Sequence, residues 1–227
     1  MQFVPALFSL FGQQIVEAPI VPRHLWSALL PLHAIWDPGA TSDMGSIFAI
    51  ALIDYWLCQK SKGALRGIWR KPAWPRTFRV ANGQQIQAIY EVEFKIPLVN
   101  VEGNHYLTFN VAAVDTGSKG PEQVPWLFSN ESGNKIGAVV SSRTGKVTFE
   151  DERLPNWKVN MEKGSSGHWL FPIVTAFIEL ATPAGCSQPV SDFASQDPQN
   201  VQILNNGVPE QTDAHGDAVL PDLQVSP

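Results

Sequence analysis

The chain has 227 residues, a hydrophobic fraction of 44% and a formal net charge of -5. It is long enough for one substantial core plus extensions, and the net charge argues against a dedicated nucleic-acid binder. Its cysteines, Cys58 and Cys186, stand far apart with no CxxC pair and no His at ligand spacing, which excludes a disulfide framework or a structural zinc site of the usual pattern.

The N-terminal segment FVPALFSLFGQQIVEAPIVP is apolar but lacks a basic start and is interrupted by Gln13, Gln14, Glu17 and prolines. It reads as an arm over residues 1–30 that contains a strand, not as a secretion signal. No apolar run reaches the roughly 20 residues needed to span a bilayer. The expectation is a soluble, cytoplasmic protein without a membrane partner.

After Leu32-His33-Ala34-Ile35-Trp36, which reads as a buried strand, comes Asp37-Pro38-Gly39-Ala40-Thr41-Ser42. Asp, Pro and Gly are turn formers, so the plainest expectation is a tight turn. The stretch SIFAIALIDYWLC, residues 46–58, has no Gly or Pro and suits a buried helix, capped by Asp43 or Ser46. Seven basic residues follow (Lys60, Lys62, Arg66, Arg70, Lys71, Arg76, Arg79) with no acid among them, and Gly63, Gly67, Pro72 and Pro75 mark that stretch as a loop. Trp69 and Trp74 are interleaved there. Stacking and phosphate contacts to nucleic acid are conceivable, but a solvated loop whose tryptophans fold back on the core is the preferred expectation.

Strand patterns then run over 77–81, 86–98 and 106–114, with Asn82-Gly83 as a hairpin signal between the first two. Val124 to Phe128 is a short apolar run before a weak helix. Residues 138–141 and 146–149 flank a turn at Arg143-Thr144-Gly145, and His168 to Ile173 reads as a closing strand. From Pro183 the composition turns to Gln, Asp, Asn, Ser and Pro, so residues 181–227 are expected to form a disordered acidic tail. No motif for a cofactor or metal occurs.

Taken in order, WDPGATSDMG, FRVANGQQIQAIYEVEFKIPL, VPWLFSNESGNKIGAVVSSRTGKVTF and MEKGSSGHWLFPI resemble the blocks of a retropepsin-like aspartic protease from a retrotransposon polyprotein. The resemblance covers Pro31 to Ile173. It implies an all-β, retropepsin-like closed barrel with one or two short helices over residues 31–180, active as a homodimer. It also implies an aspartic endopeptidase in which Asp37 of each copy supplies one catalytic carboxylate, so that two carboxylates share a proton and activate a water against an extended peptide. Pro38, Gly39, Ala40 and Thr41 would complete the active-site loop. Ala81, Asn82 and Gly83 would tip a flap over the substrate.

The chain departs from that family at three places. Pro38 replaces Thr or Ser and has neither hydroxyl nor amide proton. Ser129 replaces a glycine. Ser132-Gly133 stand where apolar helix residues are usual, and a mid-helix Gly costs about 1 kcal/mol relative to Ala. The alternative is therefore a catalytically inactive relic or dimerisation scaffold. Val114-Asp115-Thr116-Gly117-Ser118 matches the protease loop in its letters, but too little chain follows it to build a second lobe, and it reads as a surface turn.

Overall fold

A computed structural model describes residues 13–27, 29–30, 32–79, 83, 85–115, 124–154 and 157–183. The flap residues Ala81 and Asn82, and the tail beyond residue 183, lie outside the described residues. Strand β1 (Ile15–Val16) and a 3-10 turn (Arg23–Leu25) precede β2 (Ala34–Asp37), β3 (Met44–Ser46) and helix α1 (Ile47–Lys60). Strands β4 (Gly67–Arg70), β5 (Thr77–Arg79), β6 (Gln85–Pro97), β7 (Tyr106–Val114) and β8 (Leu127–Ser129) lead to helix α2 (Asn130–Lys135). The remainder is β9 (Ala138–Val140), β10 (Lys146–Phe149), β11 (Lys158–Asn160), β12 (Glu162–Lys163), β13 (Trp169–Phe171) and α3 (Ile173–Leu180).

The strands build one mixed sheet in the order β1-β4-β6-β7-β3-β8-β2-β13-β12, with β5 paired to β6, and a separate sheet β11-β10-β9. This corrects the expected closed barrel. The large sheet is open, ending in β1 and β12, strands of two residues each, which do not pair with one another. Closure is a contact between remote strands, and side-chain alternation within each strand carries no record of it.

Three helices occur among the described residues, and α1, at 14 residues, is not short. Ser46 caps it, its Oγ accepting from Ala49 N at 3.3 Å. Helix α3 occupies a stretch whose Ile, Val, Thr and Phe favour strands. Its buried residues Ile173, Val174, Ala176, Phe177 and Leu180 nonetheless follow helical spacing, and the apolar stripe prevails because it packs into the core.

The expected loop over 60–79 is also corrected, since β4 lies inside it between β1 and β6. Gly67 opens that strand because a Cβ there would meet Val92 Cγ1 at 2.8 Å and the Phe94 ring at 3.1 Å. Trp69 is buried, its Nε1 donating to Asp54 of α1 at 2.8 Å, while Trp74 is 78% exposed. Arg70 and Arg76 pair with Glu93 and Glu91 of β6 at 3.6 and 3.9 Å. Two basic residues of that stretch are thus answered by acids of the neighbouring strand β6.

Aromatic rings fill the core. Phe109 stacks on Phe177 at 4.8 Å, Phe94 on Trp126 at 5.2 Å and Phe128 on Phe171 at 5.0 Å, all of them fully buried. Each such side chain contributes about 1.5–3 kcal/mol by leaving water. Their placement matters because Trp126 and Phe128 flank the segment over which the Asp37 loop passes.

Candidate functional site at the Asp37 loop

Strands β2 and β8 run parallel, with Ile35, Trp36 and Asp37 opposite Leu127, Phe128 and Ser129. Strand β3 lies on the other side of β8, antiparallel to it, with Met44 opposite Leu127. To pass from β2 to β3 the chain must cross the C-terminal end of β8. Residues 38–43 therefore arch over the junction where β8 gives way to α2.

The first half of that arch is a turn, as the Asp-Pro-Gly composition predicts. Ala40 N donates to Asp37 O at 3.1 Å and Gly39 N to Asp37 Oδ1 at 2.9 Å. Pro38 sits at the second turn position, where its fixed φ is favoured, and Gly39 has no left-handed φ, so the turn is of the common type that demands none. Asn130 N, the first residue of α2, donates to Ala40 O at 3.2 Å and fastens the turn to the helix. The Asp37 side chain is half-buried, whereas Pro38, Gly39 and Thr41 are exposed.

The second half ends at Asp43, only 2% exposed, whose Oδ1 accepts from Ser129 N at 2.8 Å and Oδ2 from Trp126 Nε1 at 3.1 Å. Burial pushes its pKa up, and hydrogen bonds from Ser129, Ser132 and Trp126 pull it back in part. Its carbonyl accepts from Ala112 N at 3.0 Å, which ties the same residue to β7. Asp43 is thus no helix cap. The sequence signal was available: Ser46, three residues before Ala49, already satisfies the start of α1, which leaves a buried acid at 43 without a capping task.

An open cleft of about 310 Å³ borders the arch, lined by Pro38, Gly39, Ala40, Thr41, Asn130, Glu131 and Asn134. Asp37 is not among its lining residues. The expected loop residues 38–41 therefore come together at one depression, with the α2 side chains as company that the sequence did not single out.

The residues that flank the expected flap tip form the antiparallel pair β5–β6, with Thr77, Phe78 and Arg79 opposite Gln87, Ile86 and Gln85. Arg79 and Gln85 are the last paired residues, and Gly83 between them takes φ +83°. Phe78 and Ile86 pack against a small buried cluster of Met44, Ala88, Ala112 and Val114, together with Leu127. Met44 follows Asp43 directly, so the base of the hairpin rests on the strand that leaves the arch. Asp115, the rival aspartate, is exposed just past the end of β7, and residues 116–118 lie outside the described residues.

Among the described residues, no three His, Cys, Asp or Glu side chains are grouped to hold a metal ion, and no helix is long and apolar enough to cross a membrane. Comparisons of the chain with protein-family models, with curated proteins and with solved structures find no match.

Proposed function

We propose that the chain is a diverged aspartic endopeptidase of the retrotransposon-polyprotein kind, in which Asp37 from each of two copies meets across a homodimer axis. One carboxylate, ionised, takes a proton from water as its oxygen adds to the scissile carbonyl carbon. The other, protonated, hydrogen-bonds and then protonates the carbonyl oxygen; as the C–N bond breaks, the proton held by the first passes to the departing amine and a hydroxyl of the diol returns a proton to the second. The observation that carries the reading is the side-by-side, parallel placement of β2 ending in Asp37 and β8 ending in Ser129. Two sequence blocks that resemble separate parts of such a protease are neighbours in the fold. The cleft at residues 38–41 and the β5–β6 hairpin resting on Met44 add to that support.

The test is cleavage of a mixed library of extended peptides by the full-length chain. Cleavage is expected to follow a bell on the acid side of neutrality, since one carboxyl of the pair must be ionised and the other protonated. Asp37→Ala abolishes it while circular dichroism and Tm hold. Cleavage that survives Asp37→Ala and is lost in Asp115→Ala moves the site to Asp115.

Pro38 favours a second reading, a catalytically inactive dimerisation scaffold, because the residue after the aspartate brings neither hydroxyl nor amide to a partner loop. Pro38→Thr separates the two. Activity that rises from nothing marks a disabled enzyme, and a dimer in sedimentation with no activity in either form marks the scaffold.

A further inference from the structure

Resting on the endopeptidase reading of Asp37, we infer that Asp43 is the positioning residue of the catalytic loop: its buried carboxylate clamps the far end of the arch to Ser129 N and Trp126 Nε1 and so fixes where the Asp37 carboxylate points. The near end of the arch is held by strand pairing, Asp37 lying opposite Ser129. The middle is held by a single backbone bond, Asn130 N to Ala40 O at 3.2 Å. The far end is held by side-chain chemistry, the bonds to Asp43 from Ser129 N at 2.8 Å and Trp126 Nε1 at 3.1 Å, joined by the side chains of Ser129 and Ser132. All three anchors fall on residues 126–130. Asp37 itself accepts from Gly39 N, which belongs to the same turn, so its own hydrogen bond gives it no purchase on the rest of the molecule.

The charge state of Asp43 matters for a geometric reason. Both of its oxygens face N–H donors, and an ionised carboxylate, which only accepts, suits both. An asparagine of nearly the same shape does not. Its oxygen can accept from Ser129 N, but its NH2 then faces the Trp126 N–H, donor against donor, in a site closed to water. The arch must shift to relieve that contact. Replacing Trp126 by Phe removes the opposing donor and lets the arch return.

The experiment measures kcat and KM on a peptide cleaved by the wild-type chain, together with the amide resonance of Gly39 in the 15N-labelled full-length protein. In Asp43→Asn, kcat per folded protein is expected to fall about 10- to 100-fold, the scale of a misplacement of roughly 1 Å, with KM little changed. The Gly39 resonance moves. Adding Trp126→Phe restores most of kcat and returns the resonance. If Asp43→Asn fails to fold, Asp43→Glu, which keeps an acceptor-only carboxylate but displaces it by one methylene, is expected to move the Gly39 resonance and lower kcat per folded protein, and an unmoved resonance with unchanged kcat overturns the inference. A lowered Tm with unchanged kcat per folded protein and an unmoved Gly39 resonance overturns the inference and leaves Asp43 merely structural. A wild-type chain that cleaves nothing, with a Gly39 resonance that moves in Asp43→Asn and returns in the double variant, keeps the clamp and overturns the endopeptidase reading.

Discussion

Gly133→Ala tests, by its sign, whether α2 is a decayed helix or a fitted one. On helix propensity alone, alanine in place of a mid-helix glycine stabilises by about 1 kcal/mol. The structure opposes this. A Cβ at Gly133 would stand 2.8 Å from Trp36 Cη2 and 3.2 Å from Cζ2, against the ~3.5–4.0 Å of a good carbon contact. The indole cannot sink inward, because Phe128, on which it stacks at 5.4 Å, and Phe171, at 6.1 Å, are fully buried. It must tilt outward and give up its stacking, and overpacking of this kind costs about 1–3 kcal/mol. The propensity gain is therefore cancelled or reversed, for a net loss of about 0–2 kcal/mol. Urea unfolding of wild type, Gly133→Ala, Trp36→Leu and the double variant closes the cycle. With the indole gone, the alanine should yield its full gain, so the coupling is expected at about 1–3 kcal/mol. Gly133→Ala that stabilises equally with and without Trp36 refutes the fitted-helix account.

Three further outcomes follow from other parts of the fold. Asp54→Ala leaves the half-buried donor Gly67 N and the buried Trp69 Nε1, bonded at 2.6 and 2.8 Å, without an acceptor; relief of the carboxylate's desolvation offsets part of that, and a loss of about 2–4 kcal/mol in urea unfolding is expected, a change under about 1 kcal/mol contradicting it. Gly145→Ala combines a left-handed φ of +68° with a Cβ at 2.5 Å from Trp169 Cζ3 and 2.7 Å from Met161 O, and a loss of about 2–4 kcal/mol, or a Tm lower by about 5–15 °C, is expected in a thermal melt. Burial holds Asp43 and Asp54 above the ordinary carboxylate range, so the folded state binds their protons more tightly. Their contribution to stability is complete below the unfolded pKa of about 3.9 and is lost as pH rises through the folded values. Asp151, held low by hydrogen bonds from Arg153, acts in the opposite sense, its contribution present above that unfolded value and lost as pH falls through its folded one. Unfolding free energies measured from acid to neutral pH should therefore decline less in Asp54→Asn than in wild type, and an identical slope refutes the assignment.

Much of the secondary structure was legible because its signals are local. The strand over 106–114 and the turn before β10 with its left-handed Gly145 follow from alternation and turn chemistry, and hydroxyl or carboxylate spacing narrows the α1 cap to Asp43 or Ser46, of which Ser46 serves. What was illegible is long-range. The glycine of β4 reads as a loop marker until the Val92 side chain against it is known. Gly133 reads as decay until Trp36, far away in sequence, is seen to occupy its missing side chain's place. The openness of the sheet depends on whether β1 and β12 find each other, which neither short strand encodes. At the site, Asp37 and its turn were visible as letters, whereas Asp43 was not. An acid between Ser42 and Met44 shows its purpose only when the N–H donors facing it, Ser129 N of β8 and Trp126 Nε1 just before that strand, are placed.

The turn and the arch make different demands, and their difference bears on what residues 37–43 are for. Asp-Pro-Gly closes a turn with its own atoms: Ala40 N reaches Asp37 O, Gly39 N reaches Asp37 Oδ1, and no internal bond asks for an amide at position 38. Pro38 thus costs the single chain nothing, and any deficit it brings falls on a partner loop. A connection of that kind needs no charged group beneath it. Yet the chain places a carboxylate, 2% exposed, under the second half of the arch, where desolvation opposes its charge and only neutral donors answer it. Burying a charge to hold a simple surface turn is a poor solution when apolar packing of the same volume serves as well or better. The expense is intelligible if the orientation of the arch, and of the Asp37 carboxylate that begins it, has to be fixed more tightly than connection requires.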